Sequence, residues 1–94
     1  MLNDIKVLLR ISQANTAYDS EINSLIDAAR QDLMLSGVSD AKANDDTDPL
    51  IKRAISCYVK ANFGWDNPDA DRLQKSYGML KQHLTLAGDY NVIS

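Results

Sequence analysis

Scarcity narrows the chemistry of this chain before any pattern is read. It has one histidine, His83, and one cysteine, Cys57. A metal centre built on several histidines cannot come from that stock, and an internal disulfide needs a second thiol. A lone cysteine fits a reducing cytoplasm. No phosphate-cradling glycine loop occurs, and neither G-x-S-x-G nor H-E-x-x-H is present. No apolar run reaches the roughly 18 residues of a membrane span. The opening "MLNDIKVLLRIS" lacks the basic start and small-residue cleavage site of a secretory leader. Basic residues are also few: ten Lys and Arg stand against thirteen Asp and Glu, a net charge of −3. That is not the footprint of a strongly cationic nucleic-acid binder.

What is present suits one small globular domain spanning residues 1–94. The chain is 45% hydrophobic and 24% charged, an ordinary globular composition rather than a disordered one. A chain of this size buries roughly 60–70% of its unfolded surface. Its core is therefore modest, and oligomerisation is a natural further source of stability. The charge is unevenly spread. Asp40, Asp45, Asp46 and Asp48 face only Lys42 within residues 40–48, so this stretch carries the whole net charge.

The periodicity predicts an all-α protein, a compact bundle of about four helices with a short irregular C-terminal tail. The first helix is expected from Asn3 to about Ser12, with Asn3 as N-cap and Ile5, Leu8, Leu9 and Ser12 at helical spacing. "QANTAYDSE" interrupts the pattern, and Asp19 or Ser20 caps a second helix. Ile22, Leu25, Ile26, Ala29 and Leu33 line its inner face, and Gly37 supplies a left-handed stop. Tyr18, just ahead of it, reads as a packing contact. Residues 38–48 read as a polar loop. Asp48-Pro49 is an N-cap and N1 pair opening the third helix, with Ile51, Ala54, Ile55, Tyr58, Val59 and Phe63 as its apolar stripe. Asn67-Pro68 repeats that signature for the fourth, which carries Leu73, Tyr77, Leu80, Leu84 and Ala87 until Gly88 closes it. "DYNVIS" is too short to classify: a free tail, or a strand lent to a neighbour. The repeat is near 3.6 residues without sustained heptads, which favours a bundle over a coiled coil.

Few constellations carry chemistry. Asn44, Asp46 and Asp48 imitate the start of a calcium loop. Pro49 then stands where that loop needs Gly, and Ile55 where it needs a bidentate Glu. The stretch reads as a solvated acidic loop whose last aspartate caps a helix. Cys57 and His83 lack an orienting third group and an oxyanion loop, so a Cys57-dependent hydrolase ranks last among the readings and no enzyme is expected. No cofactor or metal is expected either.

Two features point to contacts. Lys52, Arg53 and Lys60 lie on the third helix away from its apolar stripe, and no acid lies between Pro49 and Trp65. They form either a solvated face or a docking patch for an acidic partner or DNA phosphates. With Asp45 and Asp46 they are the candidate interface residues. The second feature is "VKANFGWDNPDADR", read as a structural corner. Phe63 ends the apolar stripe and Gly64 takes the left-handed position after the third helix. Trp65 packs back onto Val59 and Lys60, Asn67 caps the fourth helix and Pro68 opens it. The short link makes the two helices antiparallel neighbours.

"MLNDIKVLLRIS", "DSEINSLIDAARQDLMLSG" and "DPLIKRAISCYVKANFGWDNPDADRLQKSYGMLKQHLTLAGDY" together resemble the small head–tail connector proteins of tailed bacteriophages and prophages, a family also associated with DNA packaging. The likeness spans nearly the whole chain, with "LIDAAR" and "YVKANFGWDNPDA" its most specific parts. It implies a mainly helical, non-enzymatic virion protein of the head–tail junction, present in the host cytoplasm during assembly. It implies self-association into a ring beneath the portal that extends the DNA channel. The implied partners are the portal protein and the next head-completion or tail protein, with DNA passing through unrecognised and no membrane involved. The alternative left by the residues alone is a small helical nucleic-acid-binding or regulatory module using Lys52, Arg53 and Lys60.

Overall fold

The apolar stripes do become helices. The computed structural model describes residues 1–64 and 67–91, and within them five helices follow one another. They are α1 (Leu2–Leu8), α2 (Asp19–Leu35), α3 (Asp40–Ala43), α4 (Pro49–Asn62) and α5 (Ala70–Leu86). Ile22, Ile26, Ala29 and Leu33 of α2 face Ile51, Ala54, Ile55 and Val59 of α4, all buried. Leu73, Tyr77 and Leu84 close the core from α5, and Ile5 from α1. Each fully buried aliphatic side chain contributes about 1.5–3 kcal/mol of transfer free energy. α4 is the central element, packed against α5, α2 and α1. The Tyr18 ring at the start of α2 meets the Phe63 ring at the end of α4 edge-on, with centroids 5.6 Å apart, so these helices run antiparallel.

The helix ends follow local rules, with three departures. α2 stops as expected: Gly37 has φ 116°, its N–H donates to Met34 O, and the Val38 N–H donates to Leu33 O. This is a Schellman motif, sealed by the buried Val38 and Leu33. Asp48 caps α4 through Oδ1, which accepts from the N–H groups of Leu50 and Ile51, and Pro49 takes the first helical position.

α1 is the first departure. It begins at Leu2, with Met1 rather than Asn3 at the N-cap and no side-chain cap bond, and ends at Leu8 rather than Ser12. Arg10 adopts φ 60°, and the N–H groups of Arg10 and Ile11 donate to Val7 O and Lys6 O. An arginine thus fills the place where glycine would have announced the stop.

α2 is the second. Tyr18 is its N-cap, and neither Asp19 nor Ser20 caps it. Asp19 is drawn instead to the buried Lys6, with Oδ1 2.8 Å from Nζ. Lys6 also donates to Gln13 O at 3.1 Å and Asn15 O at 2.7 Å, so one ammonium gathers the whole 13–19 connection.

The third departure is α5, which begins at Ala70 with Asp69 as N-cap rather than at Pro68 with Asn67. The Asn67 amide is committed across the corner: Nδ2 donates to Lys60 O at 2.6 Å while Oδ1 accepts from the Asp69 N–H. Gly64 has φ 86°, as expected of the residue after α4. The expectation for Trp65 lies outside the described residues.

The 38–48 stretch is not purely loop, because Ser39 accepts from the Lys42 N–H and caps the one-turn α3. The chain end as far as Asn91 is tied down here rather than free. The Ser39 N–H donates to Tyr90 O at 2.7 Å, and Val38 pairs with Asn91 as an isolated antiparallel bridge. α5 ends at Leu86 with Ala87 as its C-cap, one residue before Gly88.

Candidate docking site on the helical hairpin

The face of α4 opposite its core stripe is where the sequence concentrated positive charge. Lys52, Arg53, Ser56, Cys57 and Lys60 share a hollow of about 570 Å³ with Pro49 and Leu50, Leu8 of α1 and Leu73 of α5. Its base is apolar and its rim cationic. Leu8 and Leu50 are 47% and 46% exposed, although helical spacing alone assigns Leu8 to the core. The truncation of α1 at Arg10 leaves Leu8 on this rim. A second hollow of about 210 Å³ adjoins through Arg53 and is lined by Ser76, Met79, Leu80 and His83. Lys52 Nζ lies 3.5 Å from Asp4. Among the described residues, neither Arg53 nor Lys60 has an ion-pair partner.

Asp45 and Asp46 do not line this hollow but adjoin its end, in the loop from α3 into α4. The N-terminal ammonium lies 3.7 Å from Asp46 and 3.9 Å from Asp4, the carboxylate that also meets Lys52. Asp46 Oδ1 accepts from Arg30 at 2.7 Å, which holds its carboxyl below the usual range. Asp45 Oδ1 accepts from the hydroxyl and N–H of Thr47, with the same effect on its acidity. Burial raises the Asp48 carboxyl, but the Tyr90 hydroxyl, the Ile51 and Leu50 amides and Lys42 outweigh it and leave it low. Asn44 turns to Asp40. The three residues that imitate a calcium loop, Asn44, Asp46 and Asp48, thus spend their side chains on separate local partners. Among the described residues, no group of three or more Cys, His or acidic side chains stands together as a metal site.

Cys57 and His83 line different hollows, Cys57 half-buried and His83 exposed. The corner residues hold the hairpin: Phe63 packs against the core and Tyr18, and Asn67 bonds both helices' flanks.

A third cluster was not legible beforehand. The Tyr77 hydroxyl donates to Asp32 Oδ2 at 2.6 Å, and Lys81 Nζ donates to the same oxygen at 3.0 Å. Burial and this bond push the Tyr77 hydroxyl well above its ordinary range. Burial raises Asp32, while Tyr77 and Lys81 together overcome that and lower it. The Tyr58 ring meets Tyr77 edge-on with centroids 5.2 Å apart. The one available hint was a tyrosine on an apolar stripe, whose hydroxyl needs a partner when buried.

The described residues thus form an all-helical bundle with an apolar hollow flanked by Lys52, Arg53 and Lys60. The family model described as "Phage connector protein" matches residues 1–91, and the chain belongs to that family of phage head–tail connector proteins. No curated protein and no solved structure matches the chain. The family is a structural one, and membership implies a component of the phage particle working among portal and tail proteins. No helix among the described residues is long and apolar enough to cross a membrane.

Proposed function

We propose that this protein is a connector subunit that assembles as a ring beneath the portal, extends the DNA channel and joins head to tail. The family match over residues 1–91 carries the reading. The α4 groove supports it, because a ring subunit needs two different patches that meet head to tail. Lys52, Arg53 and Lys60 supply one patch, and the acidic end bearing Asp45 and Asp46 supplies a second, distinct in charge. Its partners are the portal protein and the next head-completion or tail protein, met first in the host cytoplasm during assembly. A net charge of −3 suits a channel wall that lets DNA pass, since extensive phosphate neutralisation would hold it. Mass spectrometry and electron microscopy of purified particles test this. The protein should be present at the junction, and its deletion should leave unjoined heads and tails. Particles that lack the protein, with joining intact after deletion, sink the reading.

The convergence of Lys52, Arg53 and Lys60 on one hollow favours a second reading, a nucleic-acid-binding module. The apolar base counts against it, because phosphate backbones offer nothing to bury there. DNA affinity measured against salt separates the two: binding through several phosphates requires a negative log–log slope.

A further inference from the structure

Among the described residues, two of the exposed apolar surfaces carry opposite charge. The first is the α4 groove, with Leu8 and Leu50 half exposed beside Arg53 and Lys60. The second lies where α2 and α5 finish. Leu35 and Leu86, the last residues of those helices, are 86% and 76% exposed. The two ends are fastened together, since the Ser39 N–H donates to Tyr90 O and Val38 bridges Asn91 just beyond them. A Cβ placed on Gly37 would sit 4.0 Å from Thr85 Cγ2, so the helix ends adjoin directly. Asp40 follows Leu35 and Asp89 follows Leu86 within five residues of chain, while of the neighbouring acids Asp48 is a buried cap beside Lys42 and Asp46 pairs with Arg30 and the N-terminal ammonium. Asp40, Asp45 and Asp89 have no ion-pair partner among the described residues.

We infer that the α4 groove receives a second copy of this chain, through the acidic knob that Leu35 and Leu86 form at the ends of α2 and α5. The inference rests on the self-associating reading proposed above and names its two surfaces. Charge complementarity selects this occupant: a hollow bearing the unpaired Arg53 and Lys60 matches exposed leucines on the end of the molecule that carries the unpaired Asp40, Asp45 and Asp89. The two patches are different surfaces, so the contact is heterologous and propagates until it closes on itself. Salt weakens it, because the rim charges are solvent-exposed and screened.

The test uses the full chain in analytical ultracentrifugation, from about 10 µM to about 1 mM, at low and high salt. The wild type should associate, and more strongly at low salt. Arg53→Glu disables the groove and Leu86→Ser the knob, and each should weaken association about tenfold. Both side chains are exposed, so the circular-dichroism melts should match the wild type. The deciding sample is the equimolar mixture. Each variant keeps the surface the other has lost, so the mixture should give a dimer that does not grow. A monomeric wild type throughout overturns the inference, as do variants that associate like the wild type. Absence of a dimer in the mixture overturns it too. If Arg53→Glu lowers affinity only for purified portal or for DNA while the chain stays monomeric, the groove belongs to that partner and the inference fails. These outcomes are independent of particle composition. A monomeric chain found at the junction refutes this contact alone, and an associating chain absent from particles refutes the junction alone.

Discussion

At the scale of single residues, two left-handed backbone positions and one buried ammonium have separable effects on stability. Arg10 holds φ 60°, where an L-residue with a Cβ is strained and glycine is not. Arg10→Gly should therefore raise stability by about 1 kcal/mol, read as a higher urea midpoint with an unchanged slope. Gly64, at φ 86°, is the reverse case: a Cβ there meets nothing within 4 Å, so Gly64→Ala isolates the backbone strain and should lower stability by about 1 kcal/mol. Lys6 shows the other residue-scale force. It is 1% exposed, and its ammonium serves Gln13 O, Asn15 O and the Asp19 carboxylate. Lys6→Met keeps the stem's packing but leaves two carbonyls and a carboxylate unpartnered. The loss should be on the order of 3 kcal/mol, measured by thermal or chemical unfolding. A loss under about 0.5 kcal/mol would show that water replaces the ammonium freely.

At the scale of elements, legibility followed sequence distance. The inner faces of α2, α4 and α5 were readable because their period is local, and the structure buries Ile22, Ile26, Ala29, Leu33, Ile51, Ala54, Ile55, Val59, Leu73, Tyr77 and Leu84 accordingly. Asp48-Pro49 opened its helix as written, because the Asp48 side chain is free to turn inward onto Leu50 and Ile51. Asn67-Pro68 has the same form but not the same outcome, since the Asn67 amide reaches back to Lys60. The cationic half of the groove was readable for the same local reason, as one face of α4. Its apolar half was not, because Leu8 and Leu73 arrive from other helices. The Asp32–Tyr77 bond, joining residues 45 apart, was equally out of reach. That bond fastens α2 to α5. Tyr77→Phe should cost about 1 kcal/mol, discounted because Asp32 is partly solvated and keeps Lys81. The pH dependence has a definite sign. The raised folded pKa of Tyr77 means its contribution is complete below the ordinary tyrosine value near 10 and is lost as pH rises through the folded value. Wild-type stability should thus fall above about pH 10, and Tyr77→Phe should flatten that fall.

At the scale of the whole molecule, the charge that the sequence crowds into residues 40–48 is both scaffold and surface. Asp48 is consumed as a buried helix cap and Asp46 by Arg30, while Asp40 and Asp89 stay exposed, as do Leu35 and Leu86. The scaffold carboxylates set the acid limit of the fold. Asp32, Asp46 and Asp48 are all held below the ordinary aspartate value in the folded state, through Tyr77 and Lys81, through Arg30, and through Tyr90 with the α4 amides respectively. Depressed folded values mean these groups favour folding fully above the unfolded value near 3.9, and that advantage disappears as pH falls through the folded values. Urea midpoints should therefore hold steady from neutral pH to about pH 5 and then drop steadily below about pH 4. Asp46→Asn removes one contributor without touching the helix cap, so its profile should start lower at pH 7 and converge on the wild type in acid. Parallel profiles at all pH values would mean that the Arg30–Asp46 pair contributes by its shape alone, and that the acid limit is set by other groups.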